Sequence, residues 1–530
     1  MSSIQRTAAP GFGPAPGTGN ANRSGNATRS GVAGGSPAPG KGLRGGQIGL
    51  AAAVVIGVST IAPAYVLTSS VGPTAEAIGN HLPAIFIVGF IPMFLVALGY
   101  RELNAAMPDN GTTFTWTWKA FGPRAGWMGG WAMLAANIIV LSNLAGVAVD
   151  FLYLCLAQAT GRPALAELAA DPLVNIATCL ALVAAAVWVS CRGLHTTRGV
   201  QRVLVILQIL VLAWFFAAAL GQAGRRPGSP AFSWEWFNPL NIGSFSAFAV
   251  GLSLSIFAFW GWDVCLTMNE ETRDGGRASG IAAGATAVVV LALYLAGSVA
   301  ATLFAGTGDT GLGLANPEHS GNLFAALAHP VMGPFAILLS LSVLASCAAS
   351  LQSTMISPAR SLLAMGHHGA LPQRFSRIHP RFGTPVFATV FAGAASAGFY
   401  ALMRVLSTNV LNDTILALGM MICFYYGMTA LACVWYFRRS SFTSARHFLL
   451  RFAAPLAGGI ALVAVFLQTA VDSWDPAYGS GSHAFGVGLV FLVGVGIIAV
   501  GALFLVGAGR RRPGFYGMPK AGKPVTGPGL

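Results

Sequence analysis

The sequence predicts an all-α integral membrane protein with twelve transmembrane helices. Of its 530 residues, 55% are hydrophobic and only 9% are charged, and the mean hydropathy is +0.67. Soluble domains carry about 25% charged residues, so this composition places the chain in a lipid bilayer. An uneven distribution of Lys and Arg predicts how the protein is oriented in the membrane. Two interrupted helices predict where a binding site lies.

Twelve segments are apolar over the roughly 20 residues that a helix needs to cross a bilayer. They are residues 47–78, 82–107, 126–156, 173–191, 199–221, 243–268, 280–306, 330–364, 385–404, 412–437, 452–472 and 484–508. Together they form a predicted membrane domain, 45–508. Residues 1–44 predict a disordered cytoplasmic tail rather than a signal peptide, because no apolar core precedes the first segment. Residues 509–530 predict a basic cytoplasmic tail.

Basic residues are concentrated on one side of this domain. With both termini in the cytoplasm, 26 of the 30 Lys and Arg residues lie in cytoplasmic segments. The four on the other side are Arg162, Arg225, Arg226 and Arg404. Cytoplasmic loops carry such an excess, so the sequence predicts a multi-pass plasma-membrane protein with cytoplasmic termini. This asymmetry accounts for the net charge of +14, and we expect no nucleic-acid partner.

Neither Cys nor His residues indicate a metal site. The seven Cys residues form no CxxC pair and mostly lie in apolar segments, where Cys acts as a small buried hydrophobic residue. His367, His368 and His379 lie in a predicted loop without further ligand residues. We therefore expect no metal and no cofactor, apart from a coupling ion that could be H⁺ or Na⁺.

The first and sixth segments are interrupted in the middle. Residues 57–63 read GVSTIAP and residues 257–263 read FAFWGWD. Backbone groups freed at membrane depth are tolerated only inside the protein or along a cavity, and discontinuous helices near the midplane indicate a transporter's substrate site. The breaks lie five helices apart, which predicts a 5+5 inverted repeat, about 47–221 and 243–437, followed by two extra helices within 452–508. Half-helix N-termini offer free N–H groups to an anion and half-helix C-termini offer carbonyls to a cation, so paired broken helices suit a zwitterion such as an amino acid.

Asp263, Glu76 and Asp150 are three of the carboxylates within predicted spans, where ionisable side chains are costly and by default indicate function. Asp263 follows the second break, where it could pair with a substrate ammonium, take up a coupling proton, or cap the second half of the helix. Glu76 and Asp150 lie toward the outer ends of the first and third spans, and are candidates for gating or coupling unless they only sit at the interface. Asn143 and Asp150 are seven residues apart and share one helix face.

Two cytoplasmic loops carry further predictions. Residues 112–122 form a short aromatic stretch, and we expect Trp116 and Trp118 at the membrane interface. Glu270 and Glu271 lie at the cytoplasmic end of the sixth span. They either lock an inner gate against Arg residues or remain solvated.

Three motifs resemble those of the amino acid–polyamine–organocation (APC) permeases, which have the LeuT-type fold. Residues 108–131, PDNGTTFTWTWKAFGPRAGWMGGW, resemble the family's P-x-x-G-x-x-[YF]-x-[YW] motif followed by FGP and GW. Residues 257–274, FAFWGWDVCLTMNEETRD, resemble F-A-[YF]-x-G-[FW]-[ED] with a trailing E-E-[TV]-x-[ND]. Residues 352–384 contain R-x-L-x-A-M, G-x-L-P and H-P-R-[FY]-x-T-P. The resemblance covers about residues 45–440.

The resemblance implies where a substrate binds. Backbone at Ser59, Thr60, Ile61 and Ala62 would hold a carboxylate or another polar head, and Phe257 matches the aromatic residue that covers the bound substrate as an inner gate. Other implied lining positions are Phe259, Trp260 and Gly261 at the second break, Asn137 on the third helix, and Ser342, Ser346 and Ser350 on the eighth.

Two positions depart from the family's pattern. Many relatives have a G-x-G run in the first break, whereas this chain has VSTIAP, in which Pro63 lacks an N–H group. An amine or polyamine thus becomes an alternative to an amino acid. Some proton-coupled relatives carry a Lys in helix five near the position of Gln208, which cannot titrate.

The predicted function is secondary active transport of an amino acid or related amine by alternating access, carried out by a monomer or a homodimer. A polyamine or organic amine transporter or exchanger is an alternative, and a transporter-like nutrient sensor is a more remote one. The sequence contains no GxxxxGK[ST] motif, which argues against an ATP-driven pump. It also contains no HExxH or GxSxG motif, so we expect no enzyme.

Overall fold

The computed structural model describes residues 41–517, except residues 44, 193, 226–228 and 408. Most of the two predicted tails lies outside the described residues. The α-helices of the described part are α1 (Leu50–Ile61), α2 (Pro63–Ile78), α3 (Leu82–Ala106), α4 (Thr113–Phe121), α5 (Pro123–Thr160), α6 (Ala164–Glu167), α7 (Pro172–Cys191), α8 (Leu194–Gly221), α9 (Phe245–Ala258), α10 (Val264–Thr267), α11 (Gly275–Ala305), α12 (Leu323–Met332), α13 (Ala336–Thr354), α14 (Ile356–His367), α15 (Val386–Leu406), α16 (Val410–Phe437), α17 (Ala445–Phe448), α18 (Ala454–Asp472), α19 (Leu489–Arg511) and α20 (Pro513–Tyr516).

Short irregular elements connect these helices. The 3₁₀-helical turns are Gly79–His81, Trp234–Phe237, Pro239–Asn241, Asn269–Glu271, Ser320–Asn322, Gly333–Phe335, Gln373–Ser376 and Ser441–Thr443, and Leu449–Ala453 is a π-helical turn. Two short strands, β1 (His483–Ala484) and β2 (Val487–Gly488), pair antiparallel with His483 opposite Gly488. The chain therefore has an all-α architecture with one small hairpin between α18 and α19.

Ten helical stretches among the described residues are long and apolar enough to cross a membrane. They are Leu50–Ala106, Pro123–Thr160, Pro172–Cys191, Gly199–Gly221, Gly275–Ala305, Leu323–His367, Val386–Leu406, Leu411–Phe437, Ala445–Asp472 and Leu489–Arg511. Helix α9 is apolar as well but has only 14 residues. These stretches confirm an all-α, multi-pass membrane architecture, and each of the twelve predicted segments overlaps one of them or α9.

Helices α1 and α2 are separated by a single residue. Ala62 adopts the left-handed conformation (φ 57°), which is uncommon for a residue with a side chain. Its N–H still donates to the carbonyl oxygen of Val58, and Pro63 then begins α2 with a backbone angle suited to a first helical turn. The chain thus changes direction within the first apolar stretch without an intervening loop.

Helices α9 and α10 are separated by five residues in turn conformations, 259–263. Gly261 has φ +110°, a region that residues with a Cβ rarely adopt. Helix α10 is only four residues long and leads into the turn Asn269–Glu271. The sixth apolar segment is consequently a 14-residue helix, an open turn and a short second helix.

The helices give the bundle two ends. We call the end where α1 begins and α3 finishes the basic face, because most Lys and Arg residues of the described loops lie there, and the end where α2 finishes the opposite face. Helix α16 is the most enclosed span, with 83% of its apolar window buried. It packs against α3, α4, α5, α9, α18 and α19.

The prediction that Trp116 and Trp118 lie at the membrane interface is wrong. Trp116 is fully buried, its indole N–H donates to the carbonyl oxygen of Met107 (3.0 Å), and its ring meets Tyr100 edge-on at 5.2 Å. Trp118 is only 9% exposed. Helix α4 is covered by α5 and α16, so both of its faces bury aromatic side chains inside the protein.

Candidate substrate-binding site

The two helix breaks are in direct contact. A Cβ atom on Gly261 would lie 3.1 Å from Cγ2 of Thr60 and 3.5 Å from Cγ1 of Ile61. On the side of the basic face, a Cβ on Gly57 would lie 2.7 Å from Sγ of Cys265. The small residues at these two positions therefore allow the side chains of one interrupted helix to pack directly against the backbone of the other.

Helix α13 presents a polar face to the first break. Ser350 Oγ donates a hydrogen bond to the carbonyl oxygen of Thr60 (2.7 Å), and Ser353 Oγ lies 3.5 Å from Ser59 Oγ. A carbonyl at an interrupted helix has no partner within its own helix, and Ser350 supplies one. The hydroxyl of Thr60 turns back to the carbonyl oxygen of Ile56 (2.8 Å), so it does not face the break.

Asp263 belongs to a buried polar chain. Trp260 Nε1 donates to the hydroxyl of Tyr425 (2.5 Å), and that hydroxyl lies 3.5 Å from Oδ2 of Asp263. The carboxylate is 1% exposed, and its Oδ1 has no hydrogen-bond partner among the described residues. It makes no side-chain hydrogen bond to the first turn of α10. The capping role left open by the sequence is therefore not the arrangement seen.

Aromatic side chains surround the second break on two sides. Phe257 meets Tyr65 of α2 edge-on, with ring centroids 6.4 Å apart. Phe259 instead packs between Phe90 and Tyr294, at 5.6 and 5.3 Å. The Tyr294 hydroxyl also donates to the carbonyl of the last residue of α9, at 2.8 Å. Phe257 thus faces the first helix, whereas Phe259 supports the break from behind.

A cavity of about 600 Å³ lies at the opposite face of the bundle. Two of the carboxylates predicted to gate or couple, Glu76 and Asp150, line it, and Asn143 lines it on the same helix face as Asp150, as their spacing predicts. Ser69 also lines the cavity and lies one helical turn beyond Tyr65, to whose carbonyl oxygen its hydroxyl donates (2.9 Å). The ring pair formed by Tyr65 and Phe257 consequently lies about one helical turn from a residue that lines this cavity.

The basic face is closed by charged side chains from distant parts of the sequence. Lys41 Nζ lies 2.8 Å from Oδ2 of Asp109 and 2.7 Å from Oε1 of Glu270. His368 Nε2 lies 3.3 Å from the same Asp109 oxygen. Burial alone would raise the pKa of Asp109, but hydrogen bonding from His368 and the charge of Lys41 outweigh burial and hold this pKa well below its usual value.

A second ion pair lies deeper. Arg360 of α14 binds Glu271 with two parallel hydrogen bonds, Nε to Oε2 at 3.0 Å and Nη2 to Oε1 at 3.1 Å, and both residues are at most 4% exposed. The backbone N–H groups of Gln47 and Ile48 donate to the carbonyl of the same Glu. Of the two alternatives for Glu271, the structure shows the pairing with an Arg residue rather than a solvated carboxylate, and its role in a gate stays a prediction. We call Lys41, Asp109, Glu270, Glu271, Arg360 and His368 the basic-face lock.

The last described residues of the chain also cover the basic face. Phe515 is 3% exposed and its ring lies 6.0 Å from that of Phe114 and 5.2 Å from that of Trp118. Arg512 Nη1 donates to the carbonyl oxygens of Gly369 (3.2 Å) and Leu371 (2.5 Å). Sequence reasoning predicted only a basic tail here, because aromatic residues as far apart in the chain as Phe515 and Phe114 carry no local signal of their contact.

Other predicted site residues lie elsewhere. Asn137 donates through Nδ2 to the carbonyl oxygen of Met133 (2.7 Å), its Oδ1 has no partner among the described residues, and it does not line the cavity at the opposite face. Gln208 is fully buried on α8, and Ser346 is fully buried on α13. The side-chain oxygens of both also lack a hydrogen-bond partner among the described residues. Roles for these residues stay predictions.

Comparisons with known proteins agree with this architecture. The model of the amino acid permease family matches residues 48–498. The chain is 26% identical to "Cationic amino acid transporter 2, vacuolar" of Arabidopsis thaliana over 69% of this chain and 57% of that protein. It is 25% identical to the branched-chain amino acid permease BcaP of Bacillus subtilis (strain 168), over 63% of this chain and 69% of that protein.

Among solved structures, that of MhsT in complex with L-phenylalanine superimposes with a TM-score of 0.55 and 16% identity, covering 78% of this chain and 98% of MhsT. This likeness shows the fold alone. The family match covers most of the chain, and its members are permeases rather than enzymes, as the motifs predict. The chain therefore belongs to the amino acid permease family, within the APC superfamily, and has the LeuT-type fold.

Proposed function

We propose that this protein is a secondary active transporter that moves an amino acid or a related amine across the membrane by alternating access. The observation that carries the proposal is the contact between the two helix breaks, which lies between a cavity at one face and a lock at the other. The unpartnered buried Oδ1 of Asp263 supports it, because buried polar groups are normally satisfied by a partner. A bound substrate would supply that partner.

The membrane topology is part of the proposal. We infer twelve spans, in which α1–α2 and α9–α10 are the discontinuous helices of a 5+5 inverted repeat, and α17–α18 and α19 are the extra pair. The excess of Lys and Arg at the basic face supports a cytoplasmic location for that face and for both termini. We further propose the plasma membrane as the site of action, and leave monomer and homodimer as alternatives.

The basic-face lock assigns a direction to the conformational cycle. With Arg360 bound to Glu271 and Lys41 bound to Asp109 and Glu270, the route from the breaks to the cytoplasm is closed. The cavity lined by Glu76 and Asp150 would admit substrate from the other side. Release to the cytoplasm then requires these ion pairs to separate while the Tyr65–Phe257 pair closes behind the substrate.

The substrate is proposed as a class. The named relatives are a cationic amino acid transporter and a branched-chain amino acid permease, and Asp263 provides a buried negative group suited to an ammonium. Pro63 removes an N–H that would otherwise face a carboxylate, so an amine or polyamine remains the second candidate. The coupling ion is proposed as H⁺ or Na⁺, with exchange as a further possibility.

Reconstitution in liposomes tests the proposal. Purified protein is inserted into vesicles and offered radiolabelled cationic, branched-chain and aromatic amino acids and polyamines, each with and without an imposed proton or sodium gradient. We expect saturable, gradient-dependent accumulation of one chemical class. Absence of accumulation across the whole panel, in vesicles that contain folded protein, would refute transport of amino acids and amines.

A further inference from the structure

A second cavity lies away from the helix breaks, between α5, α14, α15 and α19. Its volume is about 360 Å³. Its lining is entirely apolar: Trp127, Trp131, Leu134, Ala135, Ile138, Ile139, Pro358, Leu362, Met365, Leu371, Phe375, Phe391, Ala392, Ala395, Phe399 and Ile497. We call this cavity the apolar crevice.

The two polar atoms on the lining side chains are already satisfied. Trp127 Nε1 donates to the carbonyl oxygen of Gly501 (2.9 Å) and Trp131 Nε1 to that of Ile497 (2.8 Å). A water molecule needs two to four polar partners to occupy a cavity, and the crevice offers none. The crevice is therefore unsuited to water and suited to a hydrocarbon occupant.

The surroundings of the crevice indicate where that hydrocarbon comes from. Three of its walls, α5, α15 and α19, are membrane-length apolar helices, and Phe391 on its margin is 47% exposed. Such a site on a membrane-spanning bundle is in contact with lipid. An acyl chain can enter it without leaving the hydrocarbon region of the bilayer.

A polar pocket adjoins the crevice on the side of the basic face. It is lined by Gly366, His367, Gly369, Leu371, Gln373, Ser376 and Arg512. Leu371 lines both cavities, and Met365 and Phe375 of the crevice are direct neighbours in sequence of Gly366 and Ser376. One continuous site thus passes from an apolar part to a polar part.

The polar pocket carries positive charge. The Arg512 guanidinium has five N–H donors, and the two hydrogen bonds to the carbonyls of Gly369 and Leu371 are made by Nη1. Arg510 and Arg511 precede it at the exposed end of α19, and Arg374 lies exposed beside Gln373. Basic pockets at the end of membrane helices attract anionic lipid head groups.

We propose that this continuous site binds one anionic phospholipid, with an acyl chain in the apolar crevice and the phosphate beside Arg512. The site joins the loop after α14, which contributes His368 to the basic-face lock, to the end of α19. A bound lipid would accordingly hold the C-terminal segment against the basic face. This proposal does not depend on which substrate is transported.

Native mass spectrometry of delipidated protein tests the site. The probes are phosphatidylglycerol and phosphatidylcholine with identical acyl chains. We expect one phosphatidylglycerol to be retained about tenfold more tightly than phosphatidylcholine, a difference of about 1.4 kcal/mol. Equal retention of the two lipids by the unaltered protein would overturn the proposal.

Two matched pairs of variants locate the lipid. Ala395→Phe fills the crevice and should abolish retention, whereas Ala394→Phe, at the exposed neighbouring position outside the lining, should leave it unchanged. Arg512→Gln should remove the preference for phosphatidylglycerol, whereas Arg511→Gln should keep most of it. Arg512→Lys retains the charge and should preserve the preference. Equal lipid retention by the two Ala variants would place the lipid elsewhere and overturn the proposal.

Discussion

The hydroxyl of Ser350 donates a 2.7 Å hydrogen bond to the carbonyl oxygen of Thr60, 290 residues earlier in the chain. This hydrogen bond joins α13 to Thr60, the penultimate residue of α1. This contact satisfies a backbone acceptor that the interruption would otherwise leave unpaired in the membrane. The geometry of the first break thus depends on a side chain from the other half of the protein.

Ser350→Ala should weaken the first break. Removing the donor leaves a buried acceptor unpaired, at a cost of about 1–2 kcal/mol. We expect a lower melting temperature in detergent and a larger loss of uptake than the stability loss alone explains. Ser340→Ala on the same helix is the control, because its buried hydroxyl has no hydrogen-bond partner among the described residues. Equal effects of the two substitutions would contradict a role for Ser350 at the break.

Gly261→Ala should disturb the contact between the breaks. The new Cβ would lie 3.1 Å from Thr60 Cγ2, and a residue with a side chain at φ +110° costs about 1–3 kcal/mol. We expect reduced uptake together with reduced thermal stability. Gly284→Ala is the matched control, since its Cβ would meet only Phe94, at 4.0 Å. Uptake and stability of Gly261→Ala equal to those of the control would show that the breaks tolerate separation.

Asp263→Asn should abolish or uncouple transport while the protein still inserts and folds. The substitution keeps the shape of the side chain near Tyr425 but removes the charge that an ammonium or a coupling proton would use. Uptake, its pH dependence and insertion are measured in parallel. Glu235→Gln, in an exposed turn, serves as the control for loss of one negative charge. Unchanged uptake kinetics and pH dependence in Asp263→Asn would remove this carboxylate from the mechanism.

Breaking the deep ion pair should cost more than breaking an exposed one. Arg360→Gln or Glu271→Gln leaves a buried charge unpaired, which costs about 3–5 kcal/mol. Replacing both residues should cost less than the sum of the two single changes. Arg446→Gln is the comparison, because Arg446 is 63% exposed in its pair with Glu102 and should lose at most about 1 kcal/mol. Thermal unfolding in detergent measures the stability of all four variants. If the stability loss of the double variant equals the sum of the losses of Arg360→Gln and Glu271→Gln, the two residues are not directly coupled.

The lowered pKa of Asp109 predicts a specific acid response. A carboxylate whose pKa is lowered on folding stabilises the protein fully above its unfolded pKa, near 4, and loses this contribution as the pH falls further. The stability difference between the unaltered protein and Asp109→Asn should therefore shrink as the pH falls below about 4. Asp309→Asn, in an exposed loop, should show no such trend. A stability difference between the two proteins that grows as the pH falls below about 4 would contradict a lowered pKa of Asp109.

Local sequence signals predicted the helices and the breaks but not the contacts that close the site. Gly57, Pro63 and Gly261 indicated the interruptions, because Gly and Pro are helix-breaking residues that are easily recognised within apolar segments. Tyr425 and Lys41 were missed, since each acts on a partner more than 160 residues away and lies in an otherwise ordinary segment. Periodicity and spacing report only on neighbours along one helix. The aromatic residues of α4 were misplaced for the same reason, as nothing local revealed that α5 and α16 would cover them.

The closed basic face has a consequence for the apparent affinity of the same site toward substrate from each side of the membrane. A ligand binds a protein with an apparent dissociation constant equal to the intrinsic value divided by the fraction of molecules in the competent state. If the ion pairs are formed in most molecules, that fraction is small from the side of Arg360 and Glu271, where it equals the fraction with the ion pairs separated, and larger from the side of the cavity. Half-saturating concentrations should thus be lower for entry than for exit, even if the contacts made by the substrate were identical in both directions.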